Sequence, residues 1–331
     1  MALWKALCLR GDVDSGASSS RLRKRTAPRN PPAMKIICIT QLRNEERFLP
    51  GFLHHIAPHV DGIVALDEGS TDATPDLLRA VPKVISVLNE RRPAPPHAHE
   101  SQNRHRLILE AARLGADWVI CGDADERYEE RFLRRLRPVL ERREARGQQV
   151  LAVKIVNLWN SRSEYRIDGP CGPRWTPRLF RIPHTVTRRP DRMHQPWFPP
   201  ELDGAARGFV PAFLYHLKMI ERRDRETRHA KFMAVDPDGE HQAVGYGHLI
   251  DESGLTLRRV LPFKSCVDLP REASTPPPEP PALKGCLADP AFVERFRIDT
   301  ARRAPADGGA WPHFYGLDFE TLFAERRAAA R

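Results

Sequence analysis

Asp123-Ala124-Asp125, in the stretch WVICGDADERYEE (118–130), sets two carboxylates one residue apart behind an apolar run. Burying carboxylates at a strand end costs free energy unless a cation or hydrogen-bond donors meet them. On a tight turn, such a pair can hold one hard divalent cation, Mn²⁺ or Mg²⁺, and leave positions open for phosphate oxygens. A metal bound there would offset charge on a departing diphosphate. Acidic surface turns are common, so a D-x-D by itself is a weak signal; its place after WVICG strengthens it. Glu126 has three readings: a third ligand, a positioner, or the first turn of a helix, where an acid suits the dipole. We favour the last. Asp67-Glu68-Gly69-Ser70-Thr71-Asp72 is the second cluster. A carboxylate at a strand end followed by a glycine turn fits a grip on a ribose or a base N–H. Ser70, Thr71 and Asp72 serve equally as helix caps.

The elements that must position these groups follow from apolar periodicity. KIICIT (35–40), DGIVALD (61–67), VISVLN (84–89) and ADWVICGD (116–123) read as strands. Between them, 48–56 has helical spacing, EGSTDATPDLLRAV turns into a helix with Pro75 in its first turn, and SQNRHRLILEAARLG is an amphipathic helix stopped by Gly115. Strands alternating with helices imply βαβ units and an α/β fold with a parallel sheet. Asp67, Glu68, Asp123 and Asp125, with Asn44, Glu45 and Glu46 after the first strand, then share the carboxyl edge, where open α/β sheets bind ligands. Further on, 150–160, 177–182 and 212–220 read as strands and ERRDRETRHAKFMAV as a charged helix.

ITQLRNEERFLPGFL, IVALDEGSTDAT and ESQNRHRLILEAARLGADWVICGDADE, in this order and spacing, resemble glycosyltransferase family 2-like proteins. The likeness covers residues 35–130 and, more loosely, PRLFR to Lys231. It implies a GT-A fold, a mostly parallel sheet flanked by helices. It also implies transfer of a sugar from a nucleotide sugar, inverting and dependent on Mn²⁺ or Mg²⁺. Carried over by position, Asp67 and Glu68 contact the nucleoside, with Glu68 a departure from the family's usual Asp or Asn. Asn44 and Glu45 line the nucleotide pocket, Arg104 faces the nucleotide or is a solvated helix charge, and Asp123 and Asp125 bind metal and diphosphate. The general base has candidates in Asp168, Asp191 and Glu201, Asp191 lying in RRPDRMHQPW. His194 in that loop is a candidate metal or phosphate contact, and His216 in FLYHLKM is its rival. Arg222, Arg223, Arg225, Arg228 and Lys231 follow as a basic cluster, read mainly as a solvated helix face.

The first loop is acidic and lacks the glycine run of sugar nucleotidyltransferases. G-x-G-x-x-G after a strand and G-x-x-x-x-G-K-[ST] are absent, against Rossmann and P-loop enzymes. A catalytically inactive GT-A scaffold is the remaining alternative. The net charge is +10, and residues 1–33 hold seven Lys/Arg against two Asp. That segment reads as a disordered basic tail able to touch an anionic membrane, and Met34 is a second candidate start. Residues 34–235 are expected as the transferase domain and 236–331 as an extension with a Pro-rich linker at 274–285 and a short terminal helix. Six scattered cysteines without CxxC, no long apolar span and no signal-type leader fit a cytoplasmic protein, or one that meets a membrane peripherally. The partners expected are a nucleotide-sugar donor and a saccharide, lipid-linked or small-molecule acceptor, and no nucleic acid.

Overall fold

The computed structural model describes residues 33–90, 99–190, 195–236 and 245–264. The basic tail, the loop holding Asp191 and His194, the Pro-rich linker and the expected terminal helix lie outside them, apart from Ala33.

Four strands open the chain: β1 (Ile36–Leu42), β2 (Gly62–Asp67), β3 (Val84–Asn89) and β4 (Trp118–Cys121). They alternate with α1 (Leu49–Ile56), α2 (Thr74–Arg79) and α3 (Glu100–Arg113). Pro50 and Pro75 sit in the first turns of α1 and α2, where a missing N–H costs nothing. Gly115, at φ +77°, ends α3 in the left-handed conformation that a side chain disfavours. The second half adds β5 (Glu126–Tyr128), α4 (Glu130–Leu133), α5 (Leu136–Glu144), β6 (Val150–Asn157), β7 (Glu164–Arg166), β8 (Arg174–Arg181), β9 (Arg207–His216), α6 (Arg222–Val235) and β10 (Leu257–Arg259).

Eight strands form one sheet in the order β3-β2-β1-β4-β8-β6-β9-β5. β3, β2, β1 and β4 pair in parallel; β8 lies antiparallel to both β4 and β6; β9 is parallel to β6 and β5 antiparallel to β9. Six of the eight therefore run the same way, and only β8 and β5 oppose them. This is the mostly parallel α/β sheet flanked by helices that the sequence implied. β7 and β10 make a separate antiparallel pair, so residues 245–264 pack back onto the region after β6.

Strands buried on both faces explain the unbroken apolar runs. In β1, Ile36 and Cys38 face one core with Ile63, Ala65, Trp118 and Ile120, closed by Phe52, Leu53 and Ile56 of α1 and Leu136 and Leu140 of α5. Ile37 and Ile39 face the other with Val64, Leu66, Val119 and Cys121, covered by Leu107, Ile108 and Ala111 of α3. Cys38, Cys121 and Cys171 are buried free thiols, the first two in strands as small apolar groups. No helix among the described residues is long and apolar enough to cross a membrane.

One contact ties α1 to the strand after the acidic turn. His55 Nε2 lies 2.7 Å from the carbonyl oxygen of Tyr128, which makes it the donor, and Nδ1 lies 3.6 Å from Glu130. Burial pushes the His55 imidazole down to about 4, with the Tyr128 and Glu130 oxygens opposing. The unfolded chain therefore binds a proton near pH 6.5 that the folded chain refuses until about pH 4. Stability should fall as pH drops through that window, by up to ~1.4 kcal/mol per pH unit for one proton. Urea unfolding at pH 7, 6, 5 and 4 should show a slope that flattens in His55→Gln.

Candidate functional site at the carboxyl edge of the sheet

The shared strand direction brings the ends of β1, β2, β4, β6 and β9 to one edge, while β5 and β8 start there. Asp67 ends β2, the Asp123–Asp125 turn follows β4, Asn157 ends β6 and His216 ends β9. The acidic residues of the sequence thus meet partners from the distant half of the chain.

Asp125 is buried, and its Oδ2 lies 2.9 Å from Nε2 of His216. Nδ1 of His216 lies 3.0 Å from Oδ1 of Asn157, whose amide nitrogen donates to the Cys171 carbonyl. That amide orientation makes Nδ1 the donor and leaves Nε2 facing the carboxylate. Burial holds the His216 imidazolium down, with Asp125 opposing. Burial works against the Asp125 anion, yet His216 and Lys218 keep its carboxyl well below the usual range. A neutral Nε2 facing an ionised carboxylate is an arrangement that a cation between them relieves.

Asp123 is the less buried member, its side chain 37% exposed, with Oδ2 3.7 Å from Arg178. Among the described residues no group of three or more His, Cys, Asp or Glu is arranged to hold a metal ion. The donor types nevertheless fit one: carboxylate oxygens and an imidazole nitrogen suit Mn²⁺, and an oxygen holding Nδ1–H is the support that metal-ligating histidines have. Of the two histidines weighed from the sequence, His216 is the one placed on Asp125; His194 and the base candidate Asp191 lie outside the described residues.

Glu126 is not in a helix, contrary to expectation. It opens strand β5, is buried, accepts the Asp123 N–H through Oε2 at 3.0 Å, and pairs with Arg178. Burial pushes its carboxyl up to about 8 in spite of Arg178. The wholly buried Arg127 donates to the carbonyls of Ala124, Glu126 and Phe48 at 2.7–2.9 Å, clamping the turn to the start of α1. Neither arginine stands out in sequence, because no local spacing marks a buried guanidinium.

The loop after β1 and the loop after β2 are laced together. Asn44, at φ +53°, donates its N–H to Ser70 Oγ and accepts the Thr71 N–H through Oδ1. Glu45 N–H donates to Thr74 Oγ1, Glu46 N–H to Asp72 Oδ2, and Ala73 N–H to Glu46. Asp67 is buried and accepts the Ser70 N–H. Ser70 and Thr71 therefore bind the first loop rather than capping α2, whereas Asp72 does both, accepting the Thr74 N–H as well. The Glu45 carboxylate pairs with Lys218, and burial lifts it to about 7.

Glu68 accepts from the buried amide of Asn103 at 2.6 Å. Arg104 is buried rather than solvated: it pairs with Glu100, donates to the Gln195 carbonyl, and stacks 4.4 Å from the Trp197 ring centroid. Arg178 approaches the same ring at 5.6 Å, which sets Arg104 beside the Asp123 side of the edge. In the basic helix α6, Arg228 reaches His216 Nε2 at 3.4 Å, and Arg225 is buried against Glu252 and the Trp159 ring. Asp168, by contrast, has both oxygens engaged, accepting from Arg166 and from the Thr256 N–H, so it ties β7 to the segment before β10. Glu201 accepts the Thr187 N–H.

No family model matches the chain. Two curated mycobacterial proteins, the uncharacterized proteins Mb3815c of Mycobacterium bovis and Rv3786c of Mycobacterium tuberculosis, are each 27% identical to it over 247 residues. The match covers 67% of this chain and 57% of theirs, so the chain spans little more than half the length of these relatives. Glucosyl-3-phosphoglycerate synthase from M. tuberculosis, solved with Mn²⁺, uridine diphosphate and glucosyl-3-phosphoglycerate, is 22% identical over 37% of this chain and 44% of that one, at a TM-score of 0.29. S. aureus TarS 1–349, solved with UDP, is 12% identical over 66% and 70%, at 0.36. Likenesses this low say nothing about activity.

Gly122, one residue before Asp123, marks how tightly the turn is seated. A Cβ there would meet the Phe52 ring at 2.9 Å. Gly122→Ala should cost ~1–3 kcal/mol through overpacking, read as a lower urea midpoint at unchanged m-value.

Proposed function

We propose that the chain transfers a sugar from a nucleotide sugar to an acceptor hydroxyl, with Mn²⁺ or Mg²⁺ as cofactor and residues 34–235 as the transferase unit. One observation carries this reading: Asp125 and His216 Nε2 face each other at 2.9 Å on the ligand-binding edge of an α/β sheet, next to Asp123. In the transfer, the bond from the anomeric carbon to phosphate breaks and the diphosphate leaves with the electron pair. A bond to the acceptor oxygen forms, and that hydroxyl gives up its proton to a carboxylate base, the role for which the sequence offers Asp191.

Asp123, Asp125 and His216 would hold the metal, which supplies positive charge to the leaving diphosphate. Asn157 keeps the His216 proton on Nδ1, so that Nε2 is free to bind. Arg178 and Arg228 add fixed cations beside this point, positioned without reorganisation. Glu126 and Arg127 hold the turn through its N–H and its carbonyls. On the nucleoside side, Asp67, Glu68 and the lacing of 44–46 to 70–74 define a rigid floor, and Arg104 on Trp197 closes its flank.

Thermal melting with UDP, GDP, dTDP and CMP and their common sugars, in Mn²⁺ and then in EDTA, tests it. A ligand at ~100 times its dissociation constant adds about 2.7 kcal/mol, a readable shift. One nucleotide family should raise the melting temperature in Mn²⁺ only, and Asp123→Ala/Asp125→Ala should lose that response with its circular dichroism unchanged. Asn157→Ala should weaken the Mn²⁺ dependence by ~10–100-fold. Metal-dependent donor binding that survives in the double variant would refute the site. An absence of response to every nucleotide would favour the inactive scaffold.

A further inference from the structure

A groove of about 390 Å³ opens between the α4–α5 segment and the middle of β9. It is lined by Arg131, Arg135, Arg142, Arg143, Arg146 and Lys264. Residues 130–146 hold seven arginines and three glutamates. Arg134 pairs with Glu130 and Arg137 with Asp61, both outside the groove. Among the described residues the five groove arginines have no carboxylate partner. Arg142 and Arg143 donate to the Pro138 and Phe209 carbonyls. The single acid in the lining, Glu129, is already met by the Phe213 N–H and by Lys264.

The arrangement is helical in origin. Arg135, Val139, Arg142, Arg143 and Arg146 follow the spacing of one face of α5 and its flanks, beside the core residues Leu136 and Leu140. Like charges four apart weaken a helix, so this stripe persists at a cost that an anion would offset. The groove is also amphiphilic. Phe132, Val139, Val210, Ala212 and Phe263 lie among the lining residues; Phe263 is 58% exposed, and Leu261, two residues before it in the chain, 49%. The turn bearing Phe263 is pinned, because Lys264 donates to the Pro211 carbonyl and its own carbonyl accepts the Tyr215 hydroxyl.

Guanidinium forks match phosphate bidentately, and exposed Phe and Leu beside them match an acyl boundary. A free polyanion would use the arginines and leave the apolar rim without a role. We propose that this groove is a docking site for an anionic phospholipid surface, with the arginines taking headgroup phosphates and Phe263 and Leu261 entering the interface. The proposal is independent of sugar transfer. The groove meets β9 at Val210–Ala212, four to six residues before His216, roughly 13–20 Å along the strand from the Asp125 pair.

Co-sedimentation of the full chain with phosphatidylcholine vesicles, and with vesicles that also contain phosphatidylglycerol, tests the assignment. Binding should require the anionic lipid and weaken as salt rises. Each basic residue near the surface is worth about five-fold in partitioning, so Arg135→Glu/Arg142→Glu/Arg146→Glu should lower it by at least 100-fold. Arg142→Gln/Arg146→Gln is the milder variant should the triple variant fail to fold. Phe263→Ser should weaken binding without changing its salt dependence. Unchanged binding in the arginine variants would assign any vesicle affinity to residues 1–33 and overturn the proposal. So would a lack of binding to either vesicle. Equal loss of oligonucleotide and vesicle binding with no effect of Phe263→Ser would mark a general polyanion surface instead. A fall in melting temperature with intact vesicle binding would mark a groove that holds another part of this chain. Both results would overturn it.

Discussion

Four buried carboxylates and a half-buried fifth, Glu45, gather at the carboxyl edge of the sheet, and the desolvation of each must be compensated within the protein. Glu126 has Arg178, Asp125 has His216, Glu45 has Lys218, Glu68 has the Asn103 amide, and Asp67 has the Ser70 N–H. The partners Arg178, His216 and Lys218 come from β8, the end of β9 and the turn just beyond it. The acids come from the first 126 residues. An isolated βαβ half would leave Asp125 without His216 and Lys218 and Glu126 without Arg178, so polar pairing as well as the apolar core couples the halves of the chain.

That coupling also settles how the edge can behave. The loop 43–46 and the loop 67–74 exchange backbone and side-chain hydrogen bonds, which leaves little freedom for either to move alone. Arg127 adds the acidic turn to the same assembly by binding its carbonyls and that of Phe48. A site whose groups are fixed before a ligand arrives loses little free energy to ordering. Asn44 shows the consequence for individual roles. Its left-handed backbone and its bonds to Ser70 and Thr71 make it a brace between the two loops, whatever further contact it offers.

Periodicity in the sequence was enough to locate β1 to β4, α1 to α3 and the edge where the acids gather, because those elements are local and their apolar repeat is clean. It missed β5, only three residues long, and so read Glu126 as a helix acid. The antiparallel insertion of β8 between β4 and β6 is a long-range pairing with no local signature. Arg127, Arg178 and Asn157 were overlooked for a related reason: a buried polar residue is recognisable only beside its partner. His216 was visible as a histidine on an apolar strand, but nothing in FLYHLKM says that the strand ends against Asp125. Arg104 was read evenly as functional or solvated, and Trp197, far along the chain, is what buries it.

The arginines of this basic chain divide by partner rather than by position. Arg178, Arg127, Arg225 and Arg104 are buried and bound to carboxylates or carbonyls, so they act as fixed charges of the fold. Arg131, Arg135 and Arg146 reach water around a groove without an acid among the described residues to meet them. A guanidinium in the first group raises the cost of unfolding; one in the second adds to the field that a distant anion feels. β9 meets both regions: Pro211 and Lys264 lie at the groove, and His216 ends the strand on Asp125. Sidedness follows from this geometry. A negatively charged surface resting on α5 would hold the chain by its unpaired cations and leave the paired edge, with Asp123 half exposed, free to take a soluble anion.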